Sequence, residues 1–143
     1  MNKIDSFSKE YDFLSNFYLA PFRYMDVVYK TTEHAYQSMK TLNPEHKADI
    51  KAASTGATAK KLGKKVNLRK DWDEIKDKIM FHICLCKFLQ HKDLAEKLIA
   101  TEDAILEEGN NWDDKYWGTV NGEGENKLGK ILMRIRSILK DEA

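Results

Sequence analysis

The sequence predicts a mainly helical α+β fold in a single domain, with a few short strands in its N-terminal and central parts. Three observations carry that expectation. The 143 residues are 42% apolar, enough for one core that buries roughly two-thirds of the unfolded surface. Two segments repeat apolar residues at helical spacing: Trp72, Ile75, Ile79, Ile83, Cys86 and Leu89, then Leu128, Ile131, Leu132, Ile135, Ile138 and Leu139. The β-prone pieces, by contrast, are short.

Taken in order, the first thirty residues mix aromatics with polar residues, from Phe7, Tyr11 and Phe13 to Tyr29. Met25-Asp26 separates Pro21–Tyr24 from Val27–Tyr29 and predicts a hairpin. Thr31-Thr32 offers N-caps to a helix beginning near Glu33. Asn43-Pro44 stops that helix and starts another with proline at its first position. Gly56 and Gly63 bracket a short basic helix, and Asp71 with Glu74 forms a capping pair for a long helix to about Gln90. Leu94, Leu98 and Ile99 mark a further helix, Ala104–Glu108 a short strand, and Asn126 the cap of the last helix. No repeat, low-complexity tract or proline-rich linker divides the chain.

Charge is abundant but balanced: 24 Lys and Arg against 23 Asp and Glu, a net +1. Bulk attraction to nucleic acid is therefore not expected, since that needs a basic domain. The distribution is uneven. Residues 51–70 hold seven basic residues (Lys51, Lys60, Lys61, Lys64, Lys65, Arg69, Lys70) and no acid, whereas residues 102–125 hold eight acids and one lysine. Solvated helix faces explain such runs most simply; a phosphate-attracting patch, weakened steeply by salt, is the alternative. The opening MNKIDSFSKEYDF has no apolar signal core, and no 18-residue apolar run exists, so a cytoplasmic protein without membrane attachment is expected. Cys84 and Cys86, two residues apart in a helical pattern, point to different faces and fit a reducing compartment. His34, His46, His82 and His91 form no ligand spacing, so no metal is expected.

Two constellations carry chemistry. The first is Asp114-Lys-Tyr-Trp117-Gly118 followed by Gly122, Gly124, Asn126 and Gly129, four of the seven glycines within twelve residues. Glycine is costly wherever its geometry is not needed. This cluster predicts either a tight surface connection or a loop whose amides, leading into a helix, hold an anion. The second is Thr32-Glu-His-Ala-Tyr-Gln-Ser-Met-Lys40, in which Glu33, Tyr36, Gln37 and Lys40 share one helix face. Placed in a cleft, a carboxylate and an amine adjust each other's pKa values as acid–base or nucleophilic chemistry requires. His34 lies off that face and is expected to be a satisfied core or supporting histidine.

Ser15-Asn16-Phe17, Glu33-His-Ala-Tyr-Gln37 with Lys40, Trp112, Asp114-x-x-Trp117-Gly118, then Gly122-x-Gly124-x-Asn126-x-Leu128-Gly129 and Leu132-Met133-x-x-Arg136, in this order over nearly the whole chain, resemble the NADAR (YbiA-like) family. The family's Trp-Gly-x-Gly has Val120 here in place of its second glycine. Such a resemblance implies a cofactor-free N-glycosidase that hydrolyses the bond between ribose C1′ and a nitrogen. The substrate is either a ribosylamino-pyrimidine phosphate of the riboflavin pathway or ADP-ribose on guanine in nucleic acid. Glu33, Lys40 and Asp114 are then the candidate catalytic residues, with Lys40 either a phosphate-binding charge or an imine-forming nucleophile. Asn16, Phe17, Tyr36, Gln37, Trp112, Trp117, Gly118 and Asn126 are the candidate substrate-binding residues. A non-catalytic module binding ADP-ribose or a nucleotide is the alternative.

Overall fold

The computed structural model describes residues 2–142. In chain order its elements are β1 (Lys3–Ile4), a 3-10 helix (Lys9–Leu14), β2 (Phe22–Tyr24), β3 (Val27–Tyr29), α1 (Thr32–Ser38), α2 (Pro44–Ala52), α3 (Gly56–Gly63), α4 (Trp72–Gln90), α5 (Lys92–Ile99), β4 (Ile105–Leu106) and α6 (Lys127–Glu142). Helix dominates and the strands are two or three residues long, as the sequence predicts. The chain folds as two compact units: Asn16–Gln90, and the residues up to Ser15 together with His91 onward.

In the unit Asn16–Gln90, β2 and β3 pair antiparallel, Phe22 opposite Tyr29 and Tyr24 opposite Val27. Met25 and Asp26 both take positive φ (50° and 66°), the conformation that a two-residue hairpin demands at both positions. Thr31 caps α1, its hydroxyl accepting from the His34 amide. Asn43 caps α2 through the Glu45 and His46 amides, with Pro44 at the first position. Both caps are legible in the sequence. Helix α1 is buried along its whole length, packed by α2, α3 and α4. A seven-residue helix is marginal alone, so tertiary packing supplies its stability.

The buried face of α4 differs from the apolar stripe read in the sequence. Trp72 and Ile83 are buried as expected, but Ile75, Ile79 and Cys86 are only partly so, and Leu89 is 59% exposed. Met80, Cys84, Lys87 and Phe88 are buried instead. The cause is Lys87: a lysine interrupts the apolar pattern of the buried face, which leaves the neighbouring stripe the more apolar in sequence. Its ammonium lies 5.6 Å from the Tyr18 ring and 5.2 Å from the Phe88 ring, contacts that partly offset the cost of burying a cation.

In the other unit, β1 and β4 pair in parallel, Lys3 beside Ile105 and Ile4 beside Leu106. The sequence predicts a strand within Ala104–Glu108, where β4 lies, but none at β1. Helix α6 follows its predicted stripe, burying Leu128, Leu132, Ile135 and Leu139. Arg136 is drawn in too, donating to the Thr101 hydroxyl at 2.9 Å.

Candidate active site

The carboxylate–amine constellation forms within the unit Asn16–Gln90. Glu33 sits in the first turn of α1 and is 7% exposed. Its amide donates to the Asn16 carbonyl at 3.0 Å. Its Oε2 accepts from Gln37 Nε2, one turn on, at 2.6 Å, a short bond of the charge-assisted kind. The amide oxygen of Gln37 is buried without a hydrogen-bond partner. A bond that fixes one end of the amide on Glu33 leaves the other end facing the backbone of Gly63. A Cβ on Gly63 would overlap that oxygen and stand 2.8 Å from Gln37 Cδ.

Lys40 does not share helix α1 as expected. The helix ends at Ser38, with Met39 as its C-cap. Lys40 occupies the turn beyond, its amide donating to the Gln37 carbonyl at 3.2 Å and its carbonyl accepting from the Arg69 amide at 2.8 Å. The side chain still returns over the same face, with Nζ 5.6 Å from the Tyr36 ring. Burial lowers its pKa below the ordinary lysine value; Glu33 opposes that shift, while the charges of Lys60, Lys64 and Lys76 reinforce it. A lysine so placed holds more of its amine in the neutral, nucleophilic form near pH 7.

Tyr36 and Asn16 take supporting positions. The Tyr36 ring is 5% exposed and tilted against Trp72 at 5.2 Å, so it backs Lys40 rather than presenting a stacking face. The Asn16 amide accepts from the Thr32 hydroxyl at 2.8 Å and donates to Met80 Sδ at 3.5 Å. It also accepts from the Cys84 thiol at 3.8 Å, and burial pushes that thiol's pKa up to about 12. Asn16 thereby ties its loop to the start of α1. Phe17 is 40% exposed and leans on Gly56, where a Cβ would overlap its ring and stand 3.5 Å from Glu33 Cβ. Of the expected stacking residues in this unit, Phe17 is the one with an open face beside the carboxylate. His34 is fully buried, between the Thr31 hydroxyl at 2.7 Å and the Ala53 carbonyl at 2.9 Å. It is the satisfied core histidine that the sequence suggested.

The glycine-rich segment lies in the other unit and is organised by its own side chains. Asp114 Oδ1 accepts from the amides of Tyr116 (3.0 Å) and Trp117 (2.9 Å). Asn110 accepts from the Asp114 amide at 3.1 Å and donates to its carbonyl at 2.9 Å. One oxygen of Asp114 is thus committed to shaping the loop. The expected anion nest does not form at the start of α6. The Lys127 and Leu128 amides, two of its first-turn donors, go to the Tyr116 and Trp117 carbonyls at 3.1 and 2.9 Å. Asn126 is likewise committed, accepting from the Glu108 amide at 3.0 Å and donating to the Leu106 carbonyl at 2.9 Å. Its side chain braces β4 against the loop rather than capping the helix.

Gly118 is a packing glycine, since a Cβ would overlap the Glu108 carbonyl oxygen and stand 2.7 Å from its carboxylate. Chain meets chain there. Val120 closes a hairpin with Glu123 (2.8 and 3.1 Å) across Asn121-Gly122, both at positive φ; its bulk is accommodated by strand-like pairing. Trp117 is half-buried with Tyr116 edge-on at 4.9 Å. Trp112 is 50% exposed and helps line an open hollow of about 460 Å³ with Asp5, Glu107, Asn110 and Thr119. The carboxylates there disfavour a phosphate.

Among the described residues no group of three or more His, Cys, Asp or Glu is placed to hold a metal ion, and no helix is long and apolar enough to cross a membrane.

This architecture is that of a known class. The NADAR domain family model matches residues 4–140, and the chain belongs to that family. It is 34% identical over 140 residues to the N-glycosidase YbiA of Escherichia coli, covering 96% of this chain and 87% of the relative. It is 38% identical over 137 residues to the N-glycosidase Npun_R5314 of Nostoc punctiforme, covering 92% of this chain and 87% of the relative. A riboflavin biosynthesis protein of Vibrio vulnificus, VVA0006, is 33% identical over 138 residues, which span 94% of this chain and 37% of that protein. The NMR structure of E. coli YbiA superposes with a TM-score of 0.86 at 34% identity, over 98% of this chain and 84% of that one.

Proposed function

We propose that this protein is an N-glycosidase that hydrolyses the bond between ribose C1′ and a nitrogen in a ribose-phosphate conjugate, with Glu33 and Lys40 carrying the chemistry. The observation that bears most weight is the pairing of a buried carboxylate with a half-buried lysine of lowered pKa on one face. As the bond breaks, its electron pair leaves with the nitrogen and positive charge develops at C1′. A fixed carboxylate in low dielectric stabilises that charge, and Gln37 holds Glu33 in place for it. The neutral Lys40 amine then adds to C1′ and gives up a proton; ring opening yields an imine. Water hydrolyses the imine, releasing the sugar and restoring the amine. Phe17 supplies stacking surface for the base, worth about 1–3 kcal/mol in nucleic-acid systems. Asp114 acts by ordering the loop that carries Trp117.

The riboflavin-related names of the Vibrio relative and of a maize relative, a chloroplastic PYRR protein, favour a ribosylamino-pyrimidine phosphate as substrate. ADP-ribose on guanine shares the ribose, phosphate and ring, and is the second candidate. A cytoplasmic setting suits either substrate and the two free thiols. Incubation with each substrate should release base from one of them. Borohydride during turnover should leave a sugar-sized mass increment on the Lys40 peptide. Lys40→Arg keeps the charge but cannot form the imine, so near-native turnover in that variant would sink the covalent role. Absence of release from both substrates by folded protein, with ADP-ribose binding unaffected by Glu33→Ala, would identify a non-catalytic binding module instead.

A further inference from the structure

The end of α1 is closed by a side chain from the next helix. Lys47, on α2, donates from Nζ to the Ser38 carbonyl at 3.0 Å. Ser38 is the last residue of α1 and is fully buried. In a continuing helix that carbonyl would accept from an amide four residues on. Here the chain turns away, and the preceding carbonyls find donors close by. Ala35 and Tyr36 each accept from the Met39 amide at 3.2 Å, and Gln37 from the Lys40 amide at 3.2 Å. Lys47 supplies the donor for the last carbonyl of the series.

That bond is made against opposition. Burial and the Arg69 charge both lower the Lys47 pKa, so a hydrated ammonium would be the easier state. The negative end of the α1 dipole and the Ser38 carbonyl offset the cost. Glu33 in the first turn and Lys47 past the last thus complement the two ends of one seven-residue helix. The Met39–Lys40 turn follows directly. On its far side the Lys40 carbonyl accepts from the Arg69 amide at 2.8 Å, and Asp71 holds the Arg69 guanidinium at 2.7 and 3.2 Å. The turn is therefore clamped before Lys40 by Lys47 and after it by Arg69. The Lys47 clamp is the one made by a side chain, so a substitution can remove it.

We propose that Lys47 is a positioning residue for Lys40, its ammonium closing α1 at Ser38 so that the following turn holds the Lys40 amine over the Tyr36 ring. The inference rests on the Glu33–Lys40 reading given above. The charges acting on the Lys40 amine come from Glu33, Lys60, Lys64 and Lys76; Lys47 reaches it through the backbone of the turn.

Lys47→Met keeps the apolar stem and removes the donor. Two measurements follow it: steady-state kinetics across pH, and trace acetylation across pH with the Lys40 peptide read by mass spectrometry. Acetylation needs no turnover, so it reports on the amine whether or not Lys40 forms an imine. With the Ser38 carbonyl left without its donor, the turn shifts and the amine gains water. The variant should lose about 10- to 100-fold in kcat, the scale of a small misplacement of a reacting group, with KM little changed. Burial is the largest cause of the lowered Lys40 pKa, so the acid limb of the rate profile and the acetylation midpoint should both move to higher pH. Lys47→Arg keeps a charged donor and should recover most of the loss. Lys30→Met removes a similar bond elsewhere in the same unit, 2.9 Å to the Ala53 carbonyl, and should move neither. Thermal unfolding checks each fold; should Lys47→Met fail to fold, Lys47→Gln, with its shorter polar chain, is read in its place and should shift in the same direction. An unmoved acetylation midpoint in the folded variant would overturn the assignment. So would a raised KM at native kcat, which would make Lys47 a substrate contact, or an equal shift in Lys30→Met, which would mean general loosening. Native turnover in Lys40→Arg, by contrast, would refute the imine chemistry and leave the acetylation test of Lys47 intact.

Discussion

Replacing Gly63 by alanine sets two effects of opposite sign against each other. Gly63 closes α3, and alanine at a helix position normally stabilises by about 0.5–1 kcal/mol relative to glycine. Here the added Cβ would overlap Gln37 Oε1 and stand 2.8 Å from Cδ and 3.1 Å from Cβ. Gln37 is 3% exposed, so its amide has little room to retreat. Moving it breaks the 2.6 Å bond to Glu33. Overpacking costs about 1–3 kcal/mol and loss of a charged hydrogen bond about 1.5–3 kcal/mol. The clash therefore outweighs the propensity gain, and a net loss of about 1.5–5.5 kcal/mol is expected. Turnover should fall with it, because Glu33 loses the group that orients it. Chemical denaturation and steady-state kinetics measure both on one preparation. The decisive comparison is the same change in a Gln37→Ala background, where the obstacle is gone and Gly63→Ala should be neutral or stabilising. A Gly63→Ala protein more stable than the parent, or one equally destabilised in both backgrounds, would refute the reasoning.

Other expectations follow from the same geometry. Burial lowers the His34 pKa below 6.5, with the Lys30 charge adding to that and the Ala53 carbonyl opposing it. The unfolded chain thus binds the extra proton first. Stability should be full above about pH 6.5 and decline as pH falls below it; a melting temperature flat from about pH 7 to 5.5 would contradict this. Cys84, its thiol pushed up to about 12 by burial, should resist thiol reagents in the native state while the partly buried Cys86 reacts; equal native rates would count against the packing around Asn16. Gly118→Ala should destabilise by roughly 1–3 kcal/mol, because its Cβ meets the Glu108 backbone rather than a yielding side chain; a neutral thermal melt would show that the loop had room.

How much was legible in the sequence depended on whether a residue's role was local. Thr31, Asn43, Pro44 and Met25-Asp26 act on backbone within three residues, and each was found where the pattern placed it. The Glu33–Gln37 pair was legible for the same reason, since one helical turn fixes it. Lys40 was assigned to the right face by counting, yet it lies past the end of the helix, held by the Arg69 amide from 29 positions away. No local pattern announces such a partner. Asn126, Asn16 and Gly118 likewise have structural partners that no local pattern announces. Polar and small residues near a glycine-rich or aromatic segment look available for a ligand, but buried backbone must be satisfied first. The Leu106 carbonyl and Glu108 amide consume the Asn126 side chain, and the Glu108 carbonyl needs the space that a Gly118 side chain would fill.

Gln37 is tolerated with its amide oxygen unsatisfied because of what its nitrogen does. A buried carbonyl without a donor costs about 1–3 kcal/mol, and flipping the amide would set that oxygen against the Glu33 carboxylate. The cost is therefore the consequence of keeping an N–H on an ionised Glu33. Were Glu33 protonated, the flipped amide would accept from it. The present orientation thus favours the anionic form that a developing positive charge at C1′ requires. Gln37→Glu tests this directly. It puts two carboxylates one turn apart in a buried site, forcing one to hold a proton. The pH–rate profile should then shift toward alkaline values, whereas Gln37→Leu, which only removes the donor, should lower the rate with a smaller shift. Identical profiles in the two variants would mean that Gln37 fills space and does not govern the charge on Glu33.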